Sequence, residues 1–220
     1  MIFGKVTKYG AGLTIYGDFS DFVSLHQTVS DLTNGPTIDG GLEDFMLGLA
    51  YEIRHAYQGD RELLRPPANS LETESSIYFG FKQLWPIFLM QLGLLRWSAG
   101  FQPTNKEQQA NLFRIEACAE RVLVSYDPFV GRRCVEWLSL FPWLSGGYLL
   151  QFVEQCSLQY VSGKERGKAR FKKLPDILHM LSPLSQEYRA FEEHLEQCAK
   201  DNNCRVQDLH DPHPWPDFKW

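Results

Sequence analysis

The chain has 220 residues, is 44% hydrophobic and 14% aromatic, and carries a formal net charge of −5 at pH 7. That is enough apolar material to fill a sizeable core, so one compact domain is expected, with two closely packed subdomains as the alternative. The acidic balance argues against broad electrostatic binding of nucleic acid.

Met1 to Lys5 runs straight into patterned sequence without the zones of a signal peptide, so the mature chain is expected to start here. The five cysteines, Cys118, Cys134, Cys156, Cys198 and Cys204, are odd in number and widely spaced, a pattern of reduced thiols rather than a disulfide framework. Both features point to the cytoplasm. The uncharged window Gln83 to Leu95 is only thirteen residues long and holds Gln83, Gln91 and Pro86. A membrane span needs about twenty apolar residues, so a buried core helix is expected and no membrane contact.

In chain order, Ile2 to Lys8 and Leu13 to Tyr16, joined by Tyr9-Gly10-Ala11-Gly12, predict a β-hairpin that must pack on helices to be stable. Asp18 or Ser20 then caps a helix with Phe22, Leu25, Val29 and Leu32 on one face, ended by Asn34-Gly35-Pro36. Leu42 to Gln58 satisfies both helical and strand periodicity. Acidic residues at its start, Arg54 and His55 at its end and Gly59 beyond favour a helix. Arg65 to Ser70 reads as a loop. A long helix is predicted from about Glu74 to Ser98, kinked at Pro86, and Thr104 with Glu107 matches a capping box for the next. That next helix carries Leu112, Ile115, Ala119 and Val122 on one stripe. Asp127-Pro128 starts another toward Phe141, Gly146-Gly147 separates it from Tyr148 to Val161, and Ser185 to Lys200 is again helical.

Several segments resemble a known family. They are Ile15-Tyr16-Gly17-Asp18, Leu25-His26, Ile53 to Gly59, Leu84 to Leu89, Leu95-Arg96-Trp97 and Gly100 to Asn105. Together they are similar to an uncharacterised bacterial family classed as a domain of unknown function, over about residues 1–136. The resemblance brings no activity with it, so function rests on the side chains themselves.

Four of those side chains are the foremost catalytic candidates: Glu52, Arg54, His55 and Arg61. On a helix Glu52 and His55 are neighbours, so a carboxylate would orient an imidazole as acid or base while Arg54 and Arg61 hold an anion beside Gly48 and Gly59. The same residues also serve a helix end, as last-turn cations, a left-handed glycine cap and a surface pair, Asp60-Arg61. Arg189 and His194 share the arginine to histidine spacing of the HEPN family of helical ribonucleases, but only that spacing, and five residues apart they face each other poorly. His194, Cys198, Cys204, His210 and His213 offer nitrogen and sulfur ligands in an arrangement that fits no familiar zinc module, so no metal or other cofactor is expected.

Lys164 to Lys173 carries Lys164, Arg166, Lys168, Arg170, Lys172 and Lys173 against Glu165 alone, a local charge of +5 on an acidic chain. It is a candidate contact for an acidic protein or for phosphates, or else a solvated linker. The expected architecture is α+β, a mainly α-helical bundle with a small amino-terminal hairpin. Residues 1–209 form one globular domain (hairpin 2–16, helical body 20–200), and 210–220 an extended proline-rich tail. Since no complete catalytic set assembles, a bacterial cytoplasmic interaction or regulatory protein is expected, in a setting such as toxin immunity or phage defence. The alternative is a metal-independent hydrolase or ribonuclease using Glu52, Arg54 and His55 or the Arg189 and His194 pair.

Overall fold

The computed structural model describes residues 1–35, 41–65, 77–139, 148–209 and 215–220. Strands β1 (Phe3–Val6) and β2 (Gly12–Gly17) form the expected hairpin, and β3 (Glu62–Leu64) and β4 (Tyr78–Leu84) extend it into an antiparallel sheet of order β1-β2-β4-β3. Helices α1 (Phe19–Thr33), α2 (Gly41–Tyr57), α3 (Trp85–Ala99) and α4 (Lys106–Tyr126) follow, then α5 (Pro128–Ser139), α6 (Leu149–Ser162), α7 (Lys168–Phe171), α8 (Leu174–Met180) and α9 (Gln186–Asp201). The architecture is α+β and mainly helical.

One prediction fails here. Residues 78–84 are a strand and not the first part of a long helix, because Tyr16 and Gly17 pair with Gly80 and Phe79, and Leu63 takes the other side of Phe79. Cross-strand partners distant in sequence override the apolar run's helical reading. Pro86 therefore sits in the first turn of α3, where its missing N–H costs nothing, and it starts the helix instead of kinking it. Eleven residues of α3, among them Trp85, Phe88, Leu92 and Leu95, are buried. A helix apolar all round belongs at the centre of a bundle, and α3 is the element around which the others pack.

Local chemistry sets several other helix starts. Asp18 and Asp21 form a capping box on α1, and Ser185 caps α9 through the Tyr188 N–H. The box on α4 is one residue later than predicted: Asn105 and Gln108 exchange bonds of 2.8 and 2.9 Å, while Glu107 accepts from the Ser24 hydroxyl at 2.7 Å. Glu107 is thus spent on joining α4 to α1. Asp127 accepts from the Phe129 and Val130 N–H groups as Pro128 opens α5. The predicted separator Gly146-Gly147 lies outside the described residues, as do His210 and His213.

The carboxy-terminal end returns to the body. Phe218 and Trp220 are half-buried against the core, and a Trp220 backbone oxygen accepts from the Tyr9 N–H at 3.0 Å. Cys118, Cys134 and Cys156 are buried thiols, raised by burial to about 11, about 12 and about 12, whereas Cys198 is half-exposed and Cys204 exposed. Among the described residues, no helix is long and apolar enough to cross a membrane.

Candidate functional site

The end of α2 is built by its glycine. Gly59 adopts φ +87°, its N–H bonds the Ala56 carbonyl and the Asp60 N–H bonds that of His55, a Schellman closure that returns the chain toward the helix. Arg61 is thereby carried back onto Glu52, which accepts its Nε at 2.8 Å and its Nη2 at 2.9 Å. Those bonds raise the guanidinium above its ordinary pKa against the opposing effect of desolvation.

The turn rearranges the pairing expected from sequence. Glu52 is engaged by Arg61 and not by His55, whose Nδ1 lies 2.9 Å from Asp60 Oδ2. Glu52 and Arg61 line a cleft of about 450 Å³ with Glu62, Lys82, Ile87 and Trp220, a boundary that includes neither Arg54 nor His55. Lys82 is itself held by Glu62 at 2.7 Å. Both carboxylates in the cleft are therefore occupied by cations, and the four catalytic candidates do not converge on one point.

Arg54 and His55 join an aromatic surface instead. Tyr51 is 48% exposed, with the His55 ring centroid at 4.2 Å and the guanidinium carbons of Arg54 and Arg61 at 5.5 and 6.0 Å. Arg54 lies near enough to His26 to lower its pKa, although burial is the larger cause. The His26 ring meets Tyr57 edge-on at 5.9 Å, Tyr57 meets Phe19 at 5.6 Å, and Phe19 meets Phe79 at 6.4 Å. Phe19 is 56% exposed, Val23 41% and Leu63, opposite Phe79 in the sheet, 51%. A ridge of rings runs from the end of α2 across α1 to the sheet, with arginine at one end.

Sequence reasoning missed Phe19, Val23, Leu63 and Phe79. The signal available was Ile77-Tyr78-Phe79-Gly80-Phe81, an aromatic run around a glycine that favours a strand, and a strand here brings Phe79 beside α1.

The other candidates are dispersed. Arg189 and His194 are both exposed on α9, and His194 Nε2 lies 3.5 Å from Cys198 Sγ. Among the described residues, no group of three or more histidine, cysteine, aspartate or glutamate side chains could hold a metal ion. In the basic block, Lys164, Arg166, Lys168 and Lys172 are exposed and Lys173 pairs with Glu165. Arg170 departs from the expected contact surface. It is 1% exposed and donates to the carbonyls of Val161 at 3.2 Å and Tyr9 at 3.4 Å, because the glycine turn at Gly167 points it inward against the hairpin. Burial, with Arg166 nearby, lowers its pKa.

The family model for a domain of unknown function, DUF6904, matches residues 2–220. The chain belongs to that family. The match includes the carboxy-terminal third, which the sequence resemblance over residues 1–136 did not reach, so the helices that pack on the hairpin turn are part of the family's unit. No curated protein and no solved structure matches the chain.

Proposed function

We propose that this chain is an interaction or regulatory protein that docks another protein on the ridge formed by Tyr51, Arg54, Tyr57, Phe19 and Phe79. The observation that carries this reading is the exposure of Phe19 and Leu63 along the line from Tyr57 through Phe19 to Phe79, with Val23 exposed on the same helix and Tyr51 beside Arg54. Contiguous exposed apolar surface is costly to leave in water, and tyrosine, phenylalanine and arginine are the residues that dominate protein interfaces. The cluster at residues 52–61 then forms a fixed polar margin, with Glu52 paired to Arg61 and Asp60 within hydrogen-bond distance of His55. A bacterial cytoplasmic setting in toxin immunity or phage defence completes the proposal and would make the partner a toxin or a phage component. The hydrolytic alternative has less support, since Glu52, Arg54 and His55 point to different partners.

The experiment compares proteins cross-linked in the native cell by the wild-type chain and by Phe19→Asp and Arg54→Ala variants, with each captured protein then purified and titrated. Phe19→Asp should weaken the pairwise Kd at least tenfold while leaving the melting temperature nearly unchanged, as a central interface anchor does. Equal affinity in both variants would remove the ridge from the function.

A further inference from the structure

Helix α4 has a second face. Leu112, Ile115, Ala119 and Val122 are buried, whereas Phe113, Arg114, Ala117 and Arg121 line a cleft of about 430 Å³ together with Met1, Ile2 and Asp21. That volume falls within the range of small-molecule sites. Arg114, Ala117 and Arg121 are three and four residues apart and so share one helical face, with the exposed alanine leaving room between two long side chains. Phe113 is 61% exposed. The Arg96 guanidinium carbon lies 4.7 Å from the centre of its ring, and Glu116 anchors Arg96 at 2.7 Å.

The charge of this cleft runs against that of the protein, whose 27 acidic residues outnumber its 22 lysines and arginines. Carboxylates engage Arg61, Arg96 and Arg133. Among the described residues, Arg114 enters no hydrogen bond or ion pair, and Arg121 donates to the Ile2 carbonyl at 3.3 Å without meeting a carboxylate. Asp21, the acidic residue of the lining, is already committed. Its side chain is 11% exposed, pairs with the Met1 amino group and accepts from the Asp18 N–H at 3.3 Å. Two guanidinium groups therefore stand without an anion beside the apolar side chains of Ile2, Phe113 and Ala117.

We infer that this cleft binds a small aromatic carboxylate, its carboxylate group meeting Arg114 and Arg121 and its ring lying against Phe113 and Ala117. A guanidinium fork matches the planar carboxylate with charge-assisted hydrogen bonds, and aromatic rings pack favourably on one another. A neutral ligand of the same shape fills the space but offers the arginines nothing. The cleft shares no residue with the ridge of the proposed function, and the inference stands without that reading.

The test is a ligand-observed NMR titration of the full chain with 2-naphthoate, with 2-naphthamide, acetate and polyglutamate as comparison ligands. Saturable binding of 2-naphthoate is expected, at least about tenfold tighter than that of the neutral amide or of acetate, which lacks the ring. Arg114→Gln should weaken 2-naphthoate about tenfold and leave the amide unchanged, since only a charge-assisted bond is lost. Ala117→Leu should block both ligands by filling the space between the arginines. Arg114 and Ala117 are exposed, so both variants should keep the wild-type melting temperature. No saturable binding up to millimolar concentration, equal affinity for the amide or for acetate, or full affinity in both variants would overturn the inference. Tighter binding of polyglutamate would also overturn it, by assigning the arginines to an acidic protein partner.

Discussion

Tyr160 on α6 donates a 2.8 Å hydrogen bond to the carbonyl of Gly10, a residue 150 positions earlier in the hairpin turn. Burial pushes the Tyr160 phenol well above its ordinary pKa, so it remains a neutral donor. Gly10 itself has φ +73°, and a Cβ there would lie 2.5 Å from the Gly167 carbonyl oxygen. The hairpin turn, α6 and the segment before α7 are therefore fitted together at closest backbone approach, and they should unfold together.

Removing the phenol oxygen should expose that dependence. Tyr160→Phe leaves a buried carbonyl short of a partner and should cost about 1–3 kcal/mol in denaturant melts. Gly10→Ala, with both strain and collision, should cost more. A loss under about 0.5 kcal/mol in both would place the turn among ordinary surface substitutions.

The basic block divides into two kinds of cation. Neutralising exposed Lys168 and Lys172 to glutamine should shift stability by no more than about 0.5 kcal/mol. Arg170→Ala removes the donor to the Val161 carbonyl and the longer of two donors to Tyr9, and should cost about 1–3 kcal/mol. Thermal melts of the two variants side by side check the contrast, which vanishes if Arg170 is another solvated residue.

His26 predicts a pH dependence. Burial, and then Arg54, hold its imidazole below the ordinary 6.5. A depressed pKa means that the folded state takes up its proton less readily than the unfolded chain. The stabilisation is full above about pH 6.5 and is lost as the pH falls through that value toward the folded pKa. Between about pH 7 and 5.5 the wild-type melting temperature should fall more steeply than that of His26→Gln, and parallel curves would show that the histidine is not linked to folding.

The parts of this protein legible in the sequence are those decided within a few residues. Asp18 before α1, Asp127-Pro128 before α5 and Gly59 after α2 act through backbone groups one turn away, and the stripe Leu112, Ile115, Ala119 and Val122 follows from helical geometry alone. Tertiary structure decided the rest. An apolar run can be strand or helix until Tyr16 and Leu63 come to lie beside it, and Glu52 has two eligible partners until the Gly59 turn delivers Arg61. Arg170 reads like its neighbours until the turn at Gly167 meets the hairpin at Tyr9 and removes it from water. Caps and stripes are fixed by local bonds, whereas strand partners, ion pairs and exposure depend on which distant surface arrives, and residue order alone does not state that.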